Sequence, residues 1–198
     1  MSARVVVAIA LLAAGCALGS RTPRHADPEQ ELQARGFTVR APRGDGWYLV
    51  QHDAETVHFS RDTGEGSAHT VVAFVAAADS PTPLDGRGAL RRVCEEGLRR
   101  DLENPRFALT EIHVTDADLG QVPCERVEFV AEDRGVPWAP GQVFVLRGYD
   151  LVCAHPQAPR SVLVRIGTSQ RYAQGRTPLA IDDELTPFVQ SLRFTSPH

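Results

Sequence analysis

Residues 143–154 read VFVLRGYDLVCA, and the fold turns on how this stretch divides. Val143–Leu146 and Leu151–Ala154 are apolar at odd and even positions alike, the pattern of strands covered on both faces. Gly148-Tyr149-Asp150 between them has the composition of a tight connection. Two central antiparallel strands joined by a hairpin are expected, with a helix over one face.

Outward from this stretch the strand signals continue. Leu109–Thr115 and Gln121–Ala131 precede it and Ser161–Gly167 follows it. Further upstream, Phe37–Arg40, Trp47–Val50 and Val57–Arg61 alternate apolar with polar, and Ala68–Ala78 (AHTVVAFVAAA) is a long strand candidate. The period changes over Leu84–Glu103. Leu90, Val93, Cys94, Gly97, Leu98 and Leu102 fall on one helical face, with Arg91, Arg92, Glu95, Glu96, Arg99 and Arg100 outside it. Asp85 can cap that helix and Asn104-Pro105 stops it. A last helix carries Leu185, Phe188, Val189 and Leu192, with Thr186 as N-cap and Pro187 at its first position. The order strands, helix, strands, helix implies an α+β domain, an antiparallel sheet with helices packed mainly on one face.

Composition bounds the partners. The chain has 198 residues, one domain's worth, and a formal net charge of −4. An acidic chain does not attract nucleic acid through bulk charge. All 21 basic residues are arginine, scattered along the chain and not clustered.

The N-terminus carries an address. Met1-Ser2-Ala3-Arg4 is short and positively charged, and Val5–Ala14 is an unbroken apolar run. Ten residues make a helix of about 15 Å, half of a hydrocarbon core, so the run is too short to span and suits a signal peptide. Leu12-Ala13-Ala14-Gly15-Cys16 resembles the lipobox of bacterial lipoproteins. That resemblance implies removal of residues 1–15 as a signal peptide and a diacylglycerol thioether on Cys16. It also implies a membrane partner reached through that lipid, and a place in the cell envelope. Ala17 after the cysteine leans toward an outer membrane, facing the periplasm, in a Gram-negative source. The alternative is a secreted chain cut near Ala17-Leu18-Gly19. Ser20–Arg35 is polar with Pro23 and Pro28, so residues 16–35 read as the lipidated cysteine and a flexible tether, leaving 36–198 as a single domain. Extended, the sixteen residues from Ser20 to Arg35 would reach about 50 Å.

The two ends of that domain, Phe37-Thr38-Val39 with Pro42 and Gly46-Trp47, and Phe188–Phe194 (FVQSLRF), resemble the ends of PsbP-like domains. The resemblance implies a sheet–helix sandwich of this size, often in exported accessory proteins, and no shared catalytic residues.

No catalytic pattern stands out. Cys94, Cys124 and Cys153 are expected to give one disulfide in an oxidising compartment and one cysteine left over. Cys124–Cys153 is the expected pair, both in one run of strands, although simple hairpin registers do not set them directly opposite. His52, His58, His69, His113 and His155 lack metal-ligand spacing, and His58 and His113 alternate with apolar neighbours as surface residues do. G-x-S-x-G is absent, and a chain without lysine cannot hold a P-loop. Asp182-Asp183-Glu184 and Glu95-Glu96 read as helix-end and pairing charges. Trp138, framed by Pro137 and Pro140, is a candidate partner contact. The reading is a non-enzymatic accessory or binding domain, without cofactor or metal, anchored in the envelope and partnered by an envelope protein. The alternatives are a hydrolase or metal-assisted enzyme using His58, His113 and His155, and a small-ligand carrier with a cavity between sheet and helix.

Overall fold

The computed structural model describes residues 24–63, 69–136 and 139–197. In chain order the elements are β1 (Arg24–His25), β2 (Glu31–Ala34), β3 (Phe37–Arg40), β4 (Trp47–His52), β5 (Thr56–Arg61), β6 (His69–Asp79), α1 (Arg87–Asp101), β7 (Phe107–Leu119), β8 (Val122–Asp133), β9 (Phe144–Ala154), β10 (Val162–Ala173), α2 (Asp182–Ser191) and β11 (Arg193–Phe194). Eight strands form one antiparallel sheet in the order β1-β4-β5-β6-β10-β9-β8-β7, and a small sheet follows the order β11-β3-β2.

This is a largely β architecture, and it overturns the α+β expectation. The described residues hold two helices, of 15 and 10 residues, against strands of up to 13. Nor do the helices share a face. Along β9 and β10, Leu151, Cys153, Val164 and Ile166 point into a core closed by α2 and the small sheet. Leu146, Val152 and Leu163 point the other way, under Leu90, Cys94 and Leu98 of α1. The doubly apolar runs are covered on both sides as expected, but by different lids. Burying each of those α1 side chains is worth roughly 1.5–3 kcal/mol, which holds the helix on the sheet without a side-chain cap.

Several boundaries move for identifiable reasons. No hairpin divides residues 143–154: β9 runs straight through Gly148. That glycine answers a close approach, since a Cβ there would lie 2.2 Å from the ring of Phe129 on β8. Gly148→Ala is expected to cost about 1–3 kcal/mol as an overpacked core does, and Gly148→Ala with Phe129→Leu to recover most of it, read from urea midpoints.

Helix α2 begins at Asp182, so Pro187 lies inside it and Thr186 is no cap. The three acids of its first turn suit the positive end of the dipole. Gly86, not Asp85, precedes α1, and Asp85 pairs with Arg160 at 3.0 Å. Arg91 does not face solvent alone: it bonds the buried Glu125 at 3.1 Å and also pairs with Asp116.

Order begins earlier than the polar composition of Ser20–Arg35 implies. β1 pairs with β4, and β2 pairs with β3 while burying Leu32 and Ala34. Alternation over only four residues is easily lost among prolines and charges, which is why this stretch reads as tether. Cys16, the segment 1–15 and Trp138 lie outside the described residues.

Candidate functional site

Strands β7 to β10 lay their side chains in cross-strand rows on the face shared with α2. The first row is Ala117, Cys124, Cys153 and Val164, and the second is Thr115, Arg126, Leu151 and Ile166. The third is His113, Glu128, Tyr149 and Thr168, and the fourth is Glu111, Val130, Arg147 and Gln170. The face thus changes from apolar to polar along the strands. The small sheet and α2 cover the first rows, where Cys153 and Val164 are fully buried. Over the last two rows lies an open groove of about 540 Å³.

One wall of the groove is Pro178, Leu179, Ala180 and Leu185. The Gln170 carboxamide fixes that wall, donating to the Leu179 carbonyl at 2.9 Å and accepting from its N–H at 2.9 Å. The buried His69 ring donates in turn to Gln170 Oε1 at 3.1 Å. Within the groove, Arg126 bonds Glu128 and lies over the Tyr149 ring, 5.0 Å from its centroid. Burial is the main cause that holds the Tyr149 phenol above its ordinary pKa.

Two guanidiniums, of Arg126 and Arg147, face three carboxylates, of Glu111, Glu128 and Asp182. A polyanion would be repelled as much as attracted. Among the described residues no three His, Cys, Asp or Glu side chains stand where they could hold a metal.

The histidines disperse. His113 lines the groove. His52 lies on β4, 2.9 Å from the Gln33 carbonyl. His155 is a core residue: Nδ1 accepts from the Gln157 N–H at 3.1 Å, and Nε2 is 2.9 Å from the Thr195 carbonyl and 3.1 Å from that of Gly36. His58 pairs in register with Phe74 on the opposite face of the sheet. A site built from His58, His113 and His155 is therefore not formed. The surface expectation for His58 is corrected as well, because its Nε2 is buried without a hydrogen-bond partner among the described residues.

Burial lowers the His58 pKa to about 4, below the ordinary 6.5. The unfolded chain then binds the extra proton first, so acid costs stability between pH 6.5 and 4, by about 2 kcal/mol at pH 5. Asp101 works in the opposite sense. Burial pushes its carboxyl up to about 7 against the pull of Arg165, so folding takes up a proton and stability falls as pH rises from about 4 to 7. The two contributions oppose one another over this range. Urea unfolding of His58→Gln is expected to gain stability from pH 7 to pH 5, and that of Asp101→Asn to lose it.

Cys124 and Cys153 are bridged. They are direct cross-strand partners, because the long β8–β9 connection permits a register that a tight hairpin would not. Cys94 is buried under α1, and burial raises its thiol to about 12, far from the reactive range. The groove residues Arg126, Glu128, Arg147 and Tyr149 were not singled out by any motif. Their only trace in the sequence is alternation, which shows that one face is polar and not which polar residues share a row.

No family model and no curated protein sequence matches the chain. Several solved structures resemble it distantly. One is LpqN, involved in cell envelope biogenesis of Mycobacterium tuberculosis, with a TM-score of 0.47 and 15% identity over 88% of this chain and 90% of that one. Another is the human StarD13 (DLC2) lipid transfer and protein localization domain, with a TM-score of 0.28 and 11% identity over 75% and 87%. At these values neither likeness carries a functional argument.

Proposed function

We propose that this chain is a lipid-anchored envelope lipoprotein whose domain is a non-enzymatic binding module, with the groove over Glu111, His113, Arg147 and Tyr149 as its binding surface. Leu12–Cys16 supports the anchor. The buried Cys124–Cys153 disulfide supports export, since such bonds persist in oxidising compartments. The observation that carries the binding reading is the groove itself. It is open, with one wall held by Gln170, and lined by donors and acceptors in near balance; among the described residues that line it, no hydroxyl hydrogen-bonds a histidine or carboxylate. Such a lining suits a polar ligand that both donates and accepts, and one of low net charge. The carrier reading of the sequence is thereby joined to the accessory reading.

Cys16→Ser is expected to move the protein from the membrane to the soluble fraction after cell breakage, with its fold unchanged by circular dichroism. Retention of Cys16→Ser in the membrane fraction would remove the anchor. For the groove, native mass spectrometry of protein extracted from its own membranes is expected to show a bound mass that Arg147→Ala with Tyr149→Phe loses. A mass retained by that variant would place the ligand elsewhere.

A further inference from the structure

Strand β7 ends the eight-stranded sheet, pairing with β8 on one side alone among the described residues. It is 13 residues long with a bulge between Leu109 and Glu111, so its regular edge runs from Glu111 to Leu119, and proteins commonly shorten, bulge or cover an edge of that length. Its backbone polarity follows from the disulfide. The Cα atoms of Cys124 and Cys153 are 4.1 Å apart, the spacing of a non-hydrogen-bonded antiparallel pair. Cys124 therefore turns its own N–H and C=O toward β7, and so do Arg126, Glu128 and Val130, each two residues on. Thr110 Oγ1 donates to the Val130 carbonyl at 3.0 Å, as that parity requires. On β7 the partners Ala117, Thr115, His113 and Glu111 turn inward to β8. Ile112, Val114, Asp116 and Asp118 then present their backbone groups outward.

We infer that this edge pairs with the same edge of a second copy, antiparallel and centred on Ile112. A two-fold axis there sets Ile112 against the partner's Ile112 as a hydrogen-bonded pair. It sets Glu111 against the partner's His113, twice, as non-hydrogen-bonded pairs, the arrangement that brings side chains closest. Glu111 and His113 are exposed and, among the described residues, neither side chain forms a hydrogen bond or ion pair, so each carboxylate can accept from an imidazole N–H across the axis. Charge picks this centre over Asp116, which would face its own copy as like charges. Asp116 and Asp118 are paired with Arg91 and Arg87 of α1, and in the pairing centred on Ile112 neither meets its own copy. Because Glu111 and His113 also line the groove, the pairing would join two grooves into one trough across the axis.

The test uses the full-length chain extracted in detergent and followed by sedimentation equilibrium, with circular dichroism as the control for folding. A monomer–dimer equilibrium is expected. His113→Glu, which sets carboxylates opposite one another, is expected to weaken it roughly thirtyfold, and Glu111→His with His113→Glu to restore it. Ile112→Cys is expected to form a disulfide-linked dimer on mild oxidation in membranes, and Val114→Cys is not. A monomer at all concentrations overturns the inference. So does a dimer indifferent to His113→Glu, or one that the double swap fails to restore. These outcomes concern self-association alone and leave the groove's ligand to be judged by its bound mass.

Discussion

Arg165→Met is expected to destabilise the protein by about 3–5 kcal/mol, a large share of the 5–15 kcal/mol a domain of this kind possesses. Arg165 is buried between sheet and α1. It donates to Asp150 Oδ2 at 2.6 Å, reaches Asp101 Oδ2 at 3.4 Å and lies over the Phe74 ring. Remove the guanidinium and two carboxyls remain out of water, Asp150 without its counter-charge and Asp101 with only the weaker pull of Arg100. Burial already raises the pKa of both against the pull of Arg165. Without that pull they rise further, so the folded variant holds protons that the unfolded chain releases above about pH 4. Its stability should therefore fall as pH rises, and the defect should be larger at pH 8 than at pH 5. Arg165→Met with Asp150→Asn, which discards one stranded charge, should recover about half of the loss. Urea unfolding at the two pH values reads both effects, and a defect that does not vary with pH would mean that lost packing dominates.

Replacing Cys124 and Cys153 together with alanine is expected to cost about 3–4 kcal/mol. The bridge closes a loop of 29 residues in sequence separation, and in the chain-entropy account that loop restricts the unfolded ensemble by this amount. The double variant should shift the urea midpoint by nearly as much as reductant shifts that of the native protein. A much smaller shift would mean that the β8–β9 pairing alone sets the strands in register.

How much of this was legible in the sequence depends on whether the signal was local. The amphipathic stripe of α1 and the alternation of β3 to β6 are local, and they are found where the sequence places them. Gly148 is the opposite case. A glycine between apolar runs signals a turn, and only the position of Phe129 on the neighbouring strand shows that it answers crowding. Gly167 behaves likewise: a Cβ there would lie 1.8 Å from Asp150 Oδ1, so this glycine makes room for the carboxylate that Arg165 holds. That ion pair did leave a faint trace, since Asp150 is the one carboxylate of β9 and Arg165 interrupts the apolar run that opens β10. The helices were counted correctly and layered wrongly, because nothing in a helix's own stripe says which side of a sheet it will find. Trp138 and Cys16, whose signals are local, lie outside the described residues.

The strand order carries a consequence for how the chain finds its fold. β4–β6 and β7–β10 are each meanders of sequence neighbours, and the two meet along a single seam between β6 and β10. Within each meander no connection between neighbouring strands exceeds the ten residues of 134–143, far shorter than the segment that the seam must close. At the seam, Val75 faces Ile166 across the whole of α1 and three strands, so that closure loses the most chain entropy. Formation of the seam is expected to limit the folding rate, with substitutions at Val75 or Ile166 slowing folding more than equally costly ones in β4 or β7.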